Sequence, residues 1–465
     1  MEEKKQFSKK AFSEKKRGFS TTRIIALGFA GAILMGAFLL ALPVSSAEGT
    51  WTNPVDALFT ATTSICVTGL VTVTTALHWS LFGQIVILVL AQLGGLGVIT
   101  AAMCILILAG RRITLKDRML IQETYNMDTL SGLVRLVVRI VKGTFFLEGI
   151  GALFYAFVFI PEFGFFPGLW KAVFNAVSAF CNAGMDVVGE TSLRTYVGNP
   201  VVNVTTMALI ILSGLGFMVW WNLIDSWKKR KEHKRGFAAG LTLHTKLVLI
   251  MTAALIFGGA LFFFLFEYRN PETIGNMSVG DKVMASFFQS VTTRTAGFET
   301  VPQAGLTDGS TLLTMILMLI GGSPAGTAGG IKTTTVGILI LIILSTVRGK
   351  RETEFMKRRI SADAGRTALT VTGLALMVVI AASLLLFATD GLEFKDTVYE
   401  VVSAMGTVGL TRGITQGLSA AGKLILIAVM YIGRIGPVTL ALALAMKRRG
   451  KEQSISLPEE RILIG

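Results

Sequence analysis

The sequence predicts an all-α polytopic membrane protein. Four units of span, re-entrant pore helix and span surround one axis in a pseudo-fourfold arrangement. Three observations predict this class. Of the 465 residues, 52% are hydrophobic and only 16% charged, where a soluble domain carries roughly 25% charged residues; the mean hydropathy is +0.65. The charge is lopsided, with 44 Lys and Arg against 29 Asp and Glu, and it is gathered in clusters. Finally, one short motif recurs at intervals of 115, 113 and 112 residues.

A helix needs about 20 apolar residues to cross a bilayer. Runs of that kind start near Ile24, Leu81, Leu136, Val201, Thr245, Thr311, Thr367 and Leu424. Between them lie semi-apolar stretches near 54–66, 168–181, 281–293 and 395–405. Each is too short to span and reads as a re-entrant or a surface helix. The first run follows basic residues and ends near Ser45, Ser46 and Ala47, which partly mimics a signal peptide. At 24–42 it is longer than a usual signal-peptide core, so it is read as a span.

The basic groups are Lys4 to Arg17; Arg111, Arg112, Lys116 and Arg118; Lys228 to Lys231 with Lys234 and Arg235; Arg348 to Arg359; and Lys447 to Lys451. Segment 43–79, between the first two runs, has no Lys or Arg. With eight spans all five groups fall on one face. The positive-inside rule makes that face cytoplasmic. Both termini of this cell-membrane protein are then cytoplasmic, and the four short stretches lie outside. Topology explains the basic excess, so nucleic acid is not needed to account for it. The 228–235 and 348–359 groups remain open to docking an anionic partner or membrane lipid headgroups.

The four short stretches end alike: Val67-Thr68-Gly69, Asn182-Ala183-Gly184, Thr295-Ala296-Gly297 and Thr407-Val408-Gly409. A second marker follows each glycine inside the next span, as Gly94-Gly95-Leu96-Gly97, Gly214-Leu215-Gly216, Gly321-Gly322-Ser323-Pro324 and Gly433-Arg434-Ile435-Gly436. Glycine clusters let membrane helices approach closely. The division is a cytosolic basic N-terminus at 1–22, repeat 1 at 23–110, repeat 2 at 111–227, repeat 3 at 228–347, repeat 4 at 348–450 and a C-terminal tail at 451–465. Each repeat has an even number of spans, so all four share one orientation, unlike inverted-repeat carriers.

Irregular backbone at membrane depth is tolerated where it is buried in protein or lines water. Glycine lets carbonyls face inward at little steric cost. Four such segments around an axis would present a ring of carbonyl oxygens, which can replace the hydration shell of a monovalent cation. The C-terminal ends of the short helices add partial negative charge. Acidic residues are missing from the motifs, which argues against a divalent cation.

These residues, with Gln92-Leu93-Gly94-Gly95-Leu96-Gly97, the run from Gly321 to Thr333 and Gly433-Arg434-Ile435-Gly436-Pro437, resemble the Trk/Ktr/HKT superfamily of potassium transporters. The resemblance covers nearly the whole chain and is strongest to the membrane subunit of Ktr systems. It implies channel-like potassium uptake and a selectivity filter at Val67–Gly69, Asn182–Gly184, Thr295–Gly297 and Thr407–Gly409. Potassium is then the transported ion and the only metal, and no covalent cofactor is expected. It also implies sodium stimulation, a homodimer and a cytosolic RCK-type nucleotide-binding regulatory subunit (KtrA-like). In plant relatives a serine at the first filter glycine goes with sodium, and this chain has Gly69.

Segment 321–330 holds five glycines and a proline. In a helix Gly costs about 1 kcal/mol and Pro about 3 relative to Ala, so this span is expected to be broken. The resemblance implies a gate there, carried by Gly321, Gly322, Ser323, Gly326, Gly329, Gly330, Lys332 and Arg434; a packing kink is the plainer reading. An arginine inside a span usually faces a cavity or a partner. Arg434 could donate to loop carbonyls or pair with Glu148. Lys332 either sits near the ion path or snorkels inward.

Cys66, Cys104 and Cys181 fit no metal-ligand spacing and read as small residues. There is no nucleophile–base pair, so no enzyme is expected. The tail 457–465 has alternating apolar residues and reads as a docking segment. The competing reading is a cation-coupled secondary carrier for another solute, which would need the four short stretches to cross the membrane.

Overall fold

The computed structural model describes residues 21–108, 133–233, 237–350, 352–437 and 439. The N-terminal basic group, the 111–118 group, Lys234, Arg235, Arg351, the 447–451 group and the C-terminal tail lie outside these residues.

Long helices come once per repeat: α1 (Thr21–Ala41), α5 (Leu133–Phe163), α9 (Leu243–Glu267) and α13 (Ala362–Asp390). Each is long and apolar enough to cross a membrane, and a third or fewer of its span residues are buried. Leu34, Phe146, Phe257 and Leu384 on these helices are more than half exposed. Side chains this large and apolar on an outer face are suited to lipid. A multi-pass membrane protein follows from length, hydropathy and this outward apolar face.

Each long helix is followed by a short one: α2 (Pro54–Cys66), α6 (Phe165–Cys181), α10 (Val279–Thr292) and α14 (Phe394–Gly406). They run 13, 17, 14 and 13 residues. At ~1.5 Å per residue that is about 20–26 Å, short of the ~30 Å hydrocarbon core. Local sequence starts two of them. Asn53 accepts the Val55 N–H with Pro54 at the first position, and Ser278 accepts the Asp281 N–H. Burial is deep, covering nine of the thirteen residues of α2. Each short helix seats a buried aromatic ring at a matching place, Phe59, Phe174, Phe288 or Tyr399, at most 1% exposed, and α6 buries a second, Phe180. The matching ring lies ten residues before the motif glycine in repeats 1, 2 and 4 and nine before it in repeat 3.

The second helix of every repeat opens on a polar cap. Ser80, Asn199, Thr307 and Ser419 accept the first free amides of α3 (Leu81–Leu96), α7 (Pro200–Leu215), α11 (Asp308–Leu319) and α15 (Ala420–Ile435). Such a cap contributes ~1 kcal/mol. These helices then stop early. The chain resumes as α4 (Val98–Leu108) after α3, as α8 (Phe217–His233) after α7, and as α12 (Thr333–Val347) after α11. Composition alone predicts a break in repeat 3 only. The structure interrupts all four, because Gly97, Gly216 and Gly436 take φ of +86°, +90° and +91°, outside any right-handed helix. At Gly216 the two halves meet at 90°.

Between repeats 3 and 4 the chain forms a small antiparallel hairpin, β1 (Glu354–Phe355) and β2 (Arg358–Arg359). Its turn residues Met356 and Lys357 both have positive φ, the geometry of a two-residue type I′ turn.

Gly168, at the α5–α6 corner, has no room for a side chain. A Cβ there would press on the Phe159 carbonyl and lie 2.7 Å from Ile160 Cα, whereas one on Gly149 would meet nothing within 4 Å. Overpacking of this kind costs ~1–3 kcal/mol. Gly168→Ala is therefore expected to lower the thermal unfolding midpoint in detergent and Gly149→Ala not to lower it; equal effects would contradict the packing at this corner.

Candidate functional site: four glycine loops and the segment beneath them

Three of the short helices end directly on a left-handed residue, and α10 reaches one two residues beyond its right-handed cap, Thr293. Val67, Asn182, Thr295 and Thr407 adopt left-handed backbone with φ of 56°, 61°, 70° and 52°. That conformation costs a non-glycine residue ~1–3 kcal/mol, yet it recurs at the corresponding position of every repeat. Two residues later come Gly69, Gly184, Gly297 and Gly409, with φ of 97°, 66°, 81° and 96°. The intervening residues Thr68, Ala183, Ala296 and Val408 are fully buried.

The glycines meet one another in a cycle. A Cβ on Gly69 would strike the Ala183 carbonyl oxygen and lie 3.1 Å from Gly184 Cα. One on Gly184 would strike the Ala296 oxygen, one on Gly297 the Val408 oxygen, and one on Gly409 the Thr68 oxygen. The last contact returns to the first repeat, so the backbone of each loop abuts the next all the way round. The structure thus brings together the twelve residues that the motifs singled out.

The loop amides are held from behind. Thr68 N–H donates to the Thr63 carbonyl at 2.8 Å, Ala183 N–H to Ser178 at 2.8 Å and Val408 N–H to Ser403 at 2.9 Å. Two glycine amides are taken by side-chain hydroxyls: Gly69 N–H by Thr63 Oγ1 at 2.9 Å and Gly409 N–H by Ser403 Oγ at 3.1 Å. The carbonyls of the twelve residues accept no hydrogen bond among the described residues. Thr68 Oγ1, Asn182 Oδ1, Thr295 Oγ1 and Thr407 Oγ1 are also buried without a partner there. A buried unpaired oxygen costs ~1–3 kcal/mol. Two of these side chains turn toward the neighbouring segment, Asn182 to Thr327 and Thr407 to Gly329, so the free backbone carbonyls are what the loops offer a cation. Among the described residues no group of three or more His, Cys, Asp or Glu is arranged for a metal, so the oxygens on offer are neutral.

Sequence reasoning missed the bracing residues. Thr63, Ser178 and Ser403 each stand six residues before the motif glycine, a signal visible once the repeats are aligned. Repeat 3 has Val291 at that place; the neighbouring Thr292 hydroxyl donates to the Phe298 carbonyl at 2.7 Å instead. It also missed the polar struts around the loops. Arg412 donates to Asp396 at 2.6 Å and to the Gln303 carbonyl at 2.8 Å. The buried Glu400 accepts from the Thr411 hydroxyl at 2.8 Å and from Thr415. Lys171 Nζ donates to the Val187 and Val188 carbonyls at 2.8 and 2.9 Å.

The glycine-rich segment lies directly against this ring. Residues 320–332 separate α11 from α12, with Ile320 and Ile331 paired in a parallel bridge. Gly321 N–H donates to the Ile331 carbonyl at 2.9 Å and Ser323 N–H to Gly214 at 2.8 Å. Ser323 Oγ and Thr333 Oγ1 are 2.8 Å apart. Gly326 packs on the Ser213 carbonyl and Gly330 on the Gly406 carbonyl. Gly322 has the Gly214 carbonyl 3.1 Å from its Cβ position. Two contacts tie the segment to the glycine loops: Asn182 Nδ2 donates to Thr327 Oγ1 at 3.0 Å, and Gly329 lies against the Thr407 side chain.

Arg434 resolves one of the alternatives left by the sequence. Its guanidinium donates to two backbone carbonyls, Thr327 in the segment and Gly94 at the end of α3. Glu148 is engaged elsewhere, accepting from Gln92 Nε2 at 3.3 Å and facing the Cys181 thiol. Lys332 Nζ donates to the Ala328 carbonyl at 2.6 Å, within the same segment. Cys181 is more than a small filler, since its thiol also donates to Gln92 Oε1 at 3.3 Å.

A family model described as TrkH, cation transport protein, matches residues 20–454. The potassium/sodium uptake protein NtpJ of Enterococcus hirae is 39% identical over 97% of this chain and 98% of its own length. Ktr system potassium uptake protein B of Bacillus subtilis is 39% identical over 96% and 97%, and that of Vibrio alginolyticus 38% over 95% and 94%. The crystal structure of the potassium transporter TrkH from Vibrio parahaemolyticus superposes with a TM-score of 0.72, covering 93% of this chain and 86% of that one. At 17% sequence identity, that likeness concerns the fold.

Removing a brace exposes its worth. Ser403→Ala leaves the buried Gly409 N–H without its acceptor, a loss of ~1–3 kcal/mol. A lower unfolding midpoint than wild type is expected; no change would mean the hydroxyl does not hold the loop.

Proposed function

This chain belongs to the TrkH family of cation transport proteins, and from that premise we propose that it carries potassium into the cell along a channel-like pore, as the pore-forming subunit of a Ktr-type system. The observation that supports this reading most directly is the closed cycle of glycine backbones with free carbonyls. Neutral carbonyl oxygens can replace the water around a monovalent cation. The α2, α6 and α14 ends add helix-dipole charge of the right sign. In this reading the Val67–Gly69, Asn182–Gly184, Thr295–Gly297 and Thr407–Gly409 segments are the selectivity filter, in four equivalent repeats about one pore. The carrier alternative asks all four short helices to cross the bilayer, for which α2, α10 and α14 lack the length.

The segment 320–332 is the gate. It sits against the filter through Asn182 and Thr407 and is rich in glycine, so its backbone can rearrange at little steric cost. Arg434 clamps it to the end of α3 and brings positive charge to the ion path, and Lys332 adds a second charge drawn into the loop by the Ala328 carbonyl. Opening therefore moves the clamp as well as the loop. The relatives named as Ktr system proteins point to a multi-component assembly. A homodimer on a cytosolic RCK-type regulatory subunit, sodium stimulation and both termini in the cytoplasm complete the proposal.

The deciding test is potassium uptake by a potassium-transport-deficient cell expressing this chain, with and without external sodium. Uptake is expected, and its absence from correctly inserted protein would refute the reading. Gly69→Ser should lower the potassium-over-sodium preference in the same cells, since its hydroxymethyl meets the Ala183 carbonyl; an unchanged ratio would remove Gly69 from the filter. Arg434→Ala should raise uptake by about tenfold, the equivalent of losing one charge-assisted bond of ~1.5 kcal/mol from the closed state. Unaltered flux and activation in a well-expressed mutant would count against the clamp.

A further inference from the structure

A cavity lies where α12 hands over to α13. It has a volume of about 400 Å³ and sits between the end of α12, the hairpin β1–β2 and the first turns of α13. One wall is aliphatic, made by Leu339, Ile342 and Leu369. The helices cross closely here, because Gly365 leaves only 2.8 Å between its Cβ position and Ile342 Cδ1. The other wall is polar, with Arg359, Arg366, the helix-capping Ser361, Thr353 and one carboxylate, Glu352, which Arg359 neutralises.

We propose that this cavity binds an anionic glycerophospholipid, its phosphate between Arg359 and Arg366 and an acyl chain along Leu339, Ile342 and Leu369. Charge complementarity carries the headgroup half of the argument. The 348–359 segment has six Lys and Arg against two Glu. Those two acids are already paired, Glu352 with Arg359 at 3.0 Å and Glu354 with Lys350 at 3.2 Å. Arg366 has no acidic partner among the described residues. Arg359 is 65% exposed in its side chain, so it can exchange Glu352 for a phosphate without unfolding anything.

Surface chemistry carries the acyl half. Ile343, Val347 and Leu369, on the same stretch of α12 and α13, are 60%, 80% and 67% exposed. A soluble protein partner would have to cover these residues, whereas lipid tails already surround such helices. Arginines at the end of a span, above an aliphatic cleft, sit at headgroup depth. The inference uses the membrane placement of α12 and α13 and is independent of what passes through the filter.

Native mass spectrometry of the full chain in detergent, with phosphatidylglycerol and phosphatidylcholine supplied equally, tests it without any transport readout. Wild type is expected to retain phosphatidylglycerol preferentially. Retention should fall about fivefold for each of Arg359→Gln and Arg366→Gln. Ile342→Trp fills the cleft while keeping both charges, and it should also lower retention. Equal retention of the two lipids by wild type, or full retention by the double arginine variant, would overturn the proposal. So would binding of polyglutamate in place of phosphatidylglycerol, which would make this face a dock for an acidic peptide.

Discussion

Backbone meets backbone at four glycines, and the rest of the molecule is arranged to permit it. No side chain fits where Gly69, Gly184, Gly297 and Gly409 touch the carbonyl of the following loop. To reach that centre the short helices must be buried on nearly all sides, which pushes the long apolar helices outward to lipid. The same economy of space is repeated one layer out. Gly94 lies on the Ile65 carbonyl, Gly433 on the Met405 carbonyl and Gly406 on the Met318 carbonyl. The second helices thus press on the ends of the short helices through positions that lack a Cβ. Their breaks at Gly97, Gly216 and Gly436 then turn the chain away beneath the centre.

The segment 320–332 fills the space those breaks create. It is held almost wholly by backbone hydrogen bonds and glycine contacts, with few apolar anchors, so its arrangement depends on a handful of polar links. Those links lead to Gly214, to Phe217, to Asn182 and, through Arg434, to Gly94, while Gly329 packs against the Thr407 side chain. A movement of the segment must therefore be felt at two of the four loops and at the clamp. If the loops select and the segment gates, the two tasks share residues, and neither can be altered in isolation.

The polar struts and the charged hairpin lie at opposite ends of this design. Around the loops, Arg412, Lys171 and the buried Glu400 each satisfy several carbonyls or hydroxyls. A buried charge is tolerable only when it is hydrogen-bonded in this way. Along 348–359 the charges are exposed and unevenly balanced, which suits contact with an anionic surface. The membrane is a solvent for the long helices and, with a phospholipid between Arg359 and Arg366, a specific ligand where α12 meets α13.

Hydropathy and motif spacing suffice to mark a multi-pass helical membrane protein and to locate the four glycine loops. The spacing of Gly69, Gly184, Gly297 and Gly409 follows from local chemistry, as do the apolar lengths and the polar caps: glycine stands where φ is positive. The glycine-rich break of repeat 3 is equally legible, because Gly and Pro disfavour helix wherever they stand. The breaks in the other three second helices are not, since a glycine within an apolar run is compatible with a straight helix until a neighbour occupies the space. Nor does the chain of letters choose between carbonyls and Glu148 for Arg434, or disclose Thr63, Ser178 and Ser403 as braces. The Arg434 choice depends on residues far apart in the chain, 340 apart for Gly94 and Arg434. The braces act locally, but their hydroxyls matter only where a loop has been turned to face its neighbours. Only the packing of four repeats around one centre decides which polar groups come within hydrogen-bonding reach.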